Sequence, residues 1–171
     1  NTMVAPSYVT GLTTVPITTT TTAASSGSYA FSYAGAYVPS ATLQVITSII
    51  QEFVIAFGAN SYNPTNANTV FNPMMVRWSD QANPYQWVPT VTNQSGEYLL
   101  TNGSYIMGAA ATRQEILVWT DSCLYSMQYL GSPYVWGFNI MMDNISIISP
   151  NCMMTVNNVT YWMGIDRFYM Y

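Results

Sequence analysis

The stretch MMVRWSDQANPYQW, residues 74–87, sets the pattern on which the fold prediction rests. An apolar run ends in Trp78, turns at Asp80 and returns on Trp87. A Trp followed closely by an Asp recurs in LVWTD, residues 117–121, and in YWMGID, residues 161–166. Asp favours turns because its side chain can accept hydrogen bonds from nearby backbone N–H groups. The three copies therefore predict short strands that each end at an Asp turn.

The spacing of these motifs indicates a repeated architecture. Asp80 and Asp121 are 41 positions apart (121 − 80), and Asp121 and Asp166 are 45 positions apart (166 − 121). Repeats of about 40–50 residues built from short strands are typical of β-propeller blades, because one small sheet cannot bury both faces until neighbouring sheets stack on it. We predict an all-β chain of antiparallel β-propeller blades, a partial propeller that is a fragment of a longer chain.

Composition narrows the class of protein. Half of the residues are hydrophobic and 15% are aromatic, which is ample for a packed core, while only 6% are charged. A surface wetted mainly by uncharged polar groups favours a secreted, cell-surface or virion protein. The net charge of −4, with three cationic side chains, argues against an electrostatic grip on nucleic acid. Because the chain has no His, sites that use imidazole are excluded.

Two regions differ in composition. Residues 1–40 are a low-complexity segment rich in Thr, Ser and Tyr, for which we expect extended structure. Residues 41–171 are predicted to form the propeller-like blades, in an incomplete set. Within residues 41–51, ATLQVITSIIQ, the apolar spacing fits a helix but the β-branched content fits a strand, so both remain open. Asn102-Gly103, between two apolar runs, predicts a hairpin turn.

Several residue types invite a chemical interpretation beside a structural one. The carboxylates include a possible acid pair for glycoside hydrolysis, but their positions at strand ends favour turn formation. The Trp side chains have a possible role in stacking on sugars, yet regular spacing favours the core. Cys123 and Cys152 allow one disulfide, although free buried thiols are preferred. We expect no catalytic, cofactor or metal residues, and we assign structural turn and blade roles to Trp78, Asp80, Trp87, Trp119, Asp121, Trp162 and Asp166.

Four longer phrases resemble a known family. They are RWSDQANPYQWVPT (77–90), GSYIMGAAATRQEILVWTDSCLYSMQYLGSPYVWGF (103–138), DNISIISPN (143–151) and VTYWMGIDRFYMY (159–171). In these phrases the chain is similar to podovirus-type bacteriophage tail nozzle (tail tubular) proteins and the related packaged-DNA stabilisation proteins. The similarity extends from near Phe53 to the end of the sequence, and residues 1–40 match less well.

This resemblance implies a structural virion protein rather than an enzyme. It implies a ring of identical subunits, usually a homo-hexamer, placed between the adaptor and portal side and the tail-tip proteins. Packaged DNA is retained by the ring and passes through it during ejection without sequence-specific binding. The implied location is the phage tail, after assembly in the host cytoplasm, and no membrane span is expected. The alternative is a carbohydrate- or receptor-binding β-propeller adhesin, and an acid-pair glycosidase comes third.

Overall fold

The structure is a computed structural model that describes residues 14–18, 28–32, 37–65 and 69–171, the first two ranges as backbone only. All regular structure in these residues is β-strand, and every pair of neighbouring strands runs antiparallel. The prediction of an antiparallel all-β chain is therefore confirmed, while the propeller arrangement stays a prediction. In the first 40 residues, β1 (Thr14–Thr18) pairs with β2 (Ser28–Ser32) as an isolated two-stranded sheet. For the rest of residues 1–36, the prediction of extended structure falls outside the described residues.

Three further sheets follow along the chain, and each pairs its strands in chain order. Sheet I contains β3 (Thr42–Ser48), β4 (Phe53–Asn60), β5 (Phe71–Trp78) and β6 (Gly96–Leu99). Sheet II contains β7 (Ile106–Ala111), β8 (Ile116–Thr120), β9 (Cys123–Gly131) and β10 (Val135–Asp143). Sheet III contains β11 (Met153–Val156), β12 (Val159–Met163) and β13 (Phe168–Met170).

Strand β3 decides between the two interpretations of residues 41–51. The segment is extended from Thr42 to Ser48 and then turns. Ile46 packs against the main core while its neighbour Val45 is exposed, which is the two-residue alternation of a half-buried strand. The β-branched residues thus prevail over the helical spacing, because their side chains pack well on a pleated surface.

Sheet II lies between the other two sheets, and strand β8 makes this clear. Ile116 and Val118 belong to a core cluster shared with sheet I, whereas Leu117 and Trp119 belong to a second cluster shared with sheet III. All residues of β8 are buried. Successive side chains of a strand point to opposite faces, so an uninterrupted apolar strand requires a partner on each side.

The first strands of the three sheets lie together, because β7 contacts both β3 and β11. A side-chain amide joins the first pair. Gln44 Nε2 donates to the carbonyl of Ala109 at 2.8 Å, and Gln44 Oε1 accepts from the Ala109 N–H at 2.7 Å. Gly108 allows the approach of β11, since a Cβ atom there would lie 2.8 Å from the Met153 methyl group. Ile106 and Ala109 of β7 belong to the cluster shared with sheet I, whereas Met107 and Ala110 pack on the cluster shared with sheet III.

Two details of the sequence interpretation are wrong. Asn102-Gly103 does not close a hairpin, because β6 and β7 belong to different sheets. The loop there is held by tertiary contacts instead: the Asn102 N–H donates to the Tyr125 hydroxyl, and the Ser104 N–H donates to Asp121 Oδ1. Gly103 has a φ of 121°, which favours glycine.

The Trp-Asp motifs also do not mark equivalent positions. The first one ends the third strand of sheet I, whereas the other two end the second strands of sheets II and III. The sheets begin at Thr42, Ile106 and Met153, so the structural spacings are 64 (106 − 42) and 47 (153 − 106) residues. Long connections inside sheet I, over residues 61–70 and 79–95, make the first spacing larger.

Candidate functional site

Trp78, Asp80 and Trp87 of the 74–87 stretch each make a structural hydrogen bond, although the chain returns to the sheet only at β6. Trp78 and Trp87 are both buried, and their indole N–H groups donate to the carbonyls of Gln94 and Pro84 at 2.8 and 2.7 Å. Asp80 Oδ1 accepts from the backbone N–H of Gln94 at 2.8 Å. The aspartate therefore fixes the loop that returns to β6, which is a turn-stabilising role.

Asp121 acts in a similar way at the end of β8. Its Oδ1 accepts from the backbone N–H of Ser104 at 2.7 Å and so ties the loop between sheets I and II to the β8–β9 turn. Next to it, Trp119 and Trp162 pack edge to face with ring centroids 5.4 Å apart. Both are fully buried, and within the described residues their indole N–H groups meet no hydrogen-bond acceptor. Their role is to fill the space between sheets II and III.

Asp166 differs from the other two aspartates. It is exposed, and its carboxylate pairs with the guanidinium of the adjacent Arg167 at 2.7 Å and accepts from the Tyr169 hydroxyl at 3.2 Å. The hydrogen bond from Arg167 lowers the pKa of the Asp166 carboxyl. Asp166 thus stabilises side chains of its own turn rather than a distant loop.

The buried Trp residues leave no indole face for a sugar. Trp87 and Trp136 are both buried, and Trp136 packs edge to face on Phe53 with the ring centroids 5.5 Å apart. The core interpretation of the Trp residues is confirmed. The two cysteines are free, with Cys123 buried and Cys152 half-buried.

Arg77 is a buried cation in strand β5. Its Nε lies 3.7 Å from Oε2 of Glu97, its neighbour across the β5–β6 pair. The side chain is, however, only 1% exposed and also donates to three backbone carbonyls, those of Tyr37, Asn60 and Trp87. Burial lowers the pKa of the Arg77 guanidinium, and Glu97 opposes this shift. A lone Arg inside the apolar run MMVRW was the available signal.

Sheet III differs from sheet II in having one face that exposes many apolar side chains. In the register of β11–β13, Met154 lies opposite Tyr161, and Tyr161 lies opposite Met170. Phe168 is 80% exposed and Met170 is 70% exposed. The side chains that share this face are all uncharged and mostly apolar: Met154, Val156, Val159, Tyr161, Met163, Phe168 and Met170. We call this set the outer face of sheet III and take it as the candidate assembly surface.

The opposite, buried face of sheet III is joined to sheet II by an acid. Glu115 accepts hydrogen bonds from Ser126 and Gln128 of β9 and from Tyr171, which extends β13. Burial alone raises the pKa of the Glu115 carboxyl, but these hydrogen bonds outweigh it and leave the pKa below its usual value. The ionised acid is therefore part of the contact between the two sheets.

The carboxylates do not form a metal site in the described part of the chain, where no group of three or more Cys, Asp or Glu side chains converges. Asp121 and Asp166 line one open cleft, and Asp80 is not among its lining residues. The described residues also include no helix with the length and hydropathy of a membrane span.

Comparison with known proteins gives no assignment. No family model matches this chain, and no curated protein matches it.

Proposed function

We propose that this chain is a structural virion protein of a tailed bacteriophage, part of the tail nozzle or head-completion ring that retains packaged DNA and conducts it during ejection. The sequence phrases that resemble that family suggest it. The outer face of sheet III is the observation on which the proposal depends, since a broad, uncharged apolar face is typical of a surface that is covered in an assembly.

We also propose that the three sheets are blades of a β-propeller. Three features support it: each sheet is a meander, the first strands lie together, and the last strand of one sheet leads to the first strand of the next. The connections are β6 to β7, over residues 100–105, and β10 to β11, over residues 144–152. Propellers are built in this way, with a four-stranded sheet for each blade around a central channel. Sheet III has three strands in the described residues.

The scarcity of free positive charge supports a role as a conduit through which DNA passes without being held. Of the three arginines, Arg77 is buried and Arg167 is paired with Asp166, so neither presents an uncompensated charge. With seven acids in the chain, the field of the protein repels phosphate. A conduit needs this property, because phosphate contacts by Lys or Arg would hold the DNA in place.

Assembly is the property to test first. In the purified full chain, mass photometry and negative-stain electron microscopy are expected to find a ring of about six copies with a central channel. Tyr161→Asp places a charge on the outer face of sheet III and is expected to raise the concentration for half-assembly at least tenfold, about 1.4 kcal/mol. Tyr134→Asp is the matched control, since Tyr134 is an exposed tyrosine in the β9–β10 turn and the assembly should tolerate it.

A monomer at every concentration would contradict the proposal. Equal loss of assembly in Tyr161→Asp and Tyr134→Asp would also contradict it, because the effect would then come from added charge and not from the outer face of sheet III. DNA conduction is tested separately by filter binding of duplex DNA at low salt. Retention of DNA that falls steeply with salt concentration would mean that the surface grips DNA.

A further inference from the structure

A polar cleft lies at the turn ends of sheets II and III, apart from the outer face of sheet III. Three chain segments form it: the β8–β9 turn with Asp121, the segment after β10 with Asn144 and Ser146, and the β12–β13 turn with Asp166 and Arg167. The cleft has a volume of about 650 Å³. This is within the range of about 300–1,000 Å³ typical of small-molecule sites.

The walls of the cleft are held by backbone hydrogen bonds. The Ile145 N–H donates to the Ser122 carbonyl at 3.1 Å, which fixes the second segment to the first. The Ile148 N–H donates to the Met163 carbonyl at 3.0 Å, which fixes the same segment to sheet III. A ligand would therefore meet a surface that is already arranged, with little ordering cost.

Asp121 presents an acceptor whose orientation is set. Its Oδ1 accepts from the Ser104 N–H, and Gly103 allows this approach, since a Cβ atom there would lie 2.7 Å from Oδ1. Within the described residues, Oδ2 of Asp121 and the side-chain amide of Asn144 have no hydrogen-bond partner. One acceptor from the first wall and one amide from the second thus remain available to a ligand.

The third wall combines a charge-neutral pair with an apolar side chain. Asp166 and Arg167 are paired with each other, and Ile165 next to them is 81% exposed. The cleft contains two carboxylates and one guanidinium, a formal charge of −1 (1 − 2), which disfavours phosphate and sulfate. No third acid among the described residues converges with Asp121 and Asp166 to hold a metal ion.

We infer that this cleft binds a neutral sugar of one or two rings. Sugar hydroxyls donate to carboxylates and exchange hydrogen bonds with amides, and the C–H face of the ring can cover an apolar side chain such as Ile165. Hydroxyl groups satisfy Asp121 Oδ2 and Asn144 without adding a charge. The inference is independent of the proposed virion role, because it uses none of the residues of the outer face of sheet III.

The test is nuclear magnetic resonance titration of the ¹⁵N-labelled full chain with four neutral disaccharides: maltose, cellobiose, lactose and N,N′-diacetylchitobiose. At least one is expected to shift the amide signals of residues 144–146 and 165–169. Asp121→Asn keeps an oxygen for the Ser104 N–H but removes the charge, and Asn144→Ala removes the amide. Each is expected to weaken binding at least tenfold.

Two control variants lie outside the cleft. Asp143→Asn makes the same charge change as Asp121→Asn at the neighbouring end of β10, and Arg113→Ala removes an arginine from the β7–β8 turn. Both should bind sugar as the unaltered protein does. Unchanged amide spectra away from the cleft will establish that each variant is folded.

Three results would overturn the inference: no shift with any disaccharide at millimolar concentration, equal weakening in Asp143→Asn, or inorganic phosphate shifting the same amides more strongly than sugar. The oligomeric state of the same samples is recorded in parallel. Loss of sugar binding with an intact ring, or the reverse, therefore separates this inference from the proposed virion role.

Discussion

Strands β8 and β12 both occupy the second place in their sheets and both contain a Trp, but their environments differ. Every residue of β8 is buried, because sheets I and III cover its two faces. In β12 burial alternates: Thr160 and Trp162 are buried, while Tyr161 between them is 49% exposed. Strands with a similar local sequence are thus buried to different extents. The number of sheets stacked on the strand determines whether one face or both faces are buried.

The comparison also separates two kinds of interface. Between sheets II and III, aromatic rings and an acid make the contact, with Trp162 stacked on Tyr169 and packed edge to face on Trp119. Between sheets I and II, a larger cluster is joined by the amide of Gln44. The outer face of sheet III has the apolar character of an interface without a described partner.

The largest effect is expected at Trp119. Trp119→Ala removes a fully buried ring and leaves a cavity between sheets II and III, so the free energy of unfolding should fall by about 3–5 kcal/mol. Guanidinium chloride unfolding, followed by far-ultraviolet circular dichroism, measures it. Trp162→Ala should be similar, because the two rings touch. A loss below about 1 kcal/mol would mean that sheet III is not packed on sheet II.

A smaller effect is expected where sheets I and II meet. Gln44→Leu keeps the approximate volume but leaves the N–H and carbonyl of Ala109 without their partner, a loss of about 1–3 kcal/mol. Gln114→Leu, in the exposed β7–β8 turn, is the matched control and should change stability by less than about 0.5 kcal/mol. If the two variants are equally stable, the Gln44 amide does not stabilise the contact between β3 and β7.

The sequence predicts the parts of the fold that local chemistry decides. Asp121-Ser122 and Asn157-Asn158 join neighbouring strands of one sheet, and both Asn157 and Asn158 have positive φ, which Asn tolerates in tight hairpin turns. The hairpin prediction at Asn102-Gly103 is wrong, because this loop bonds to Tyr125 and Asp121 of the next sheet instead of joining two strands of one sheet. Turn-forming residues predict where the chain reverses, but they do not predict which strands the turn connects.

The candidate sites were less predictable for the same reason. Burial of the Trp residues followed from their spacing and type, whereas the meeting of Asp121 and Asp166 in one cleft depends on how sheets II and III stack. The uncovered face of β12 is also not predictable, since neither face of the sequence VTYWM carries a charged residue. Only the number of neighbouring sheets separates its two faces.

The junction of sheets II and III should depend on pH through Glu115. Because the pKa of Glu115 is lowered in the folded protein, the unfolded chain binds more protons as the pH falls, and stability falls with it. The contribution is present above the ordinary Glu pKa of about 4.3 and is lost as the pH falls through the lower folded value.

A pH series compares the unaltered protein with Glu115→Gln. The variant should be less stable at pH 7, and the difference should shrink as the pH is lowered towards about 3. Glu52→Gln, an exposed acid in the β3–β4 turn, is the control and should follow the unaltered protein. A difference that stays constant with pH would mean that Glu115 acts through packing rather than through its charge.

The smallest effect on the single chain is expected on the outer face of sheet III, and it separates the two faces of that sheet. Phe168→Ser removes a ring that is 80% exposed to solvent. The free energy of unfolding should therefore change by less than about 0.5 kcal/mol in dilute protein. Trp162→Ala, on the other face of the same sheet, should cost several kcal/mol. If the proposed assembly covers this face, Phe168→Ser should weaken association, because the substitution removes a ring from the contact. If Phe168→Ser destabilises the dilute monomer by more than about 2 kcal/mol, another part of the same chain covers this face, and assembly is not needed to account for its apolar residues.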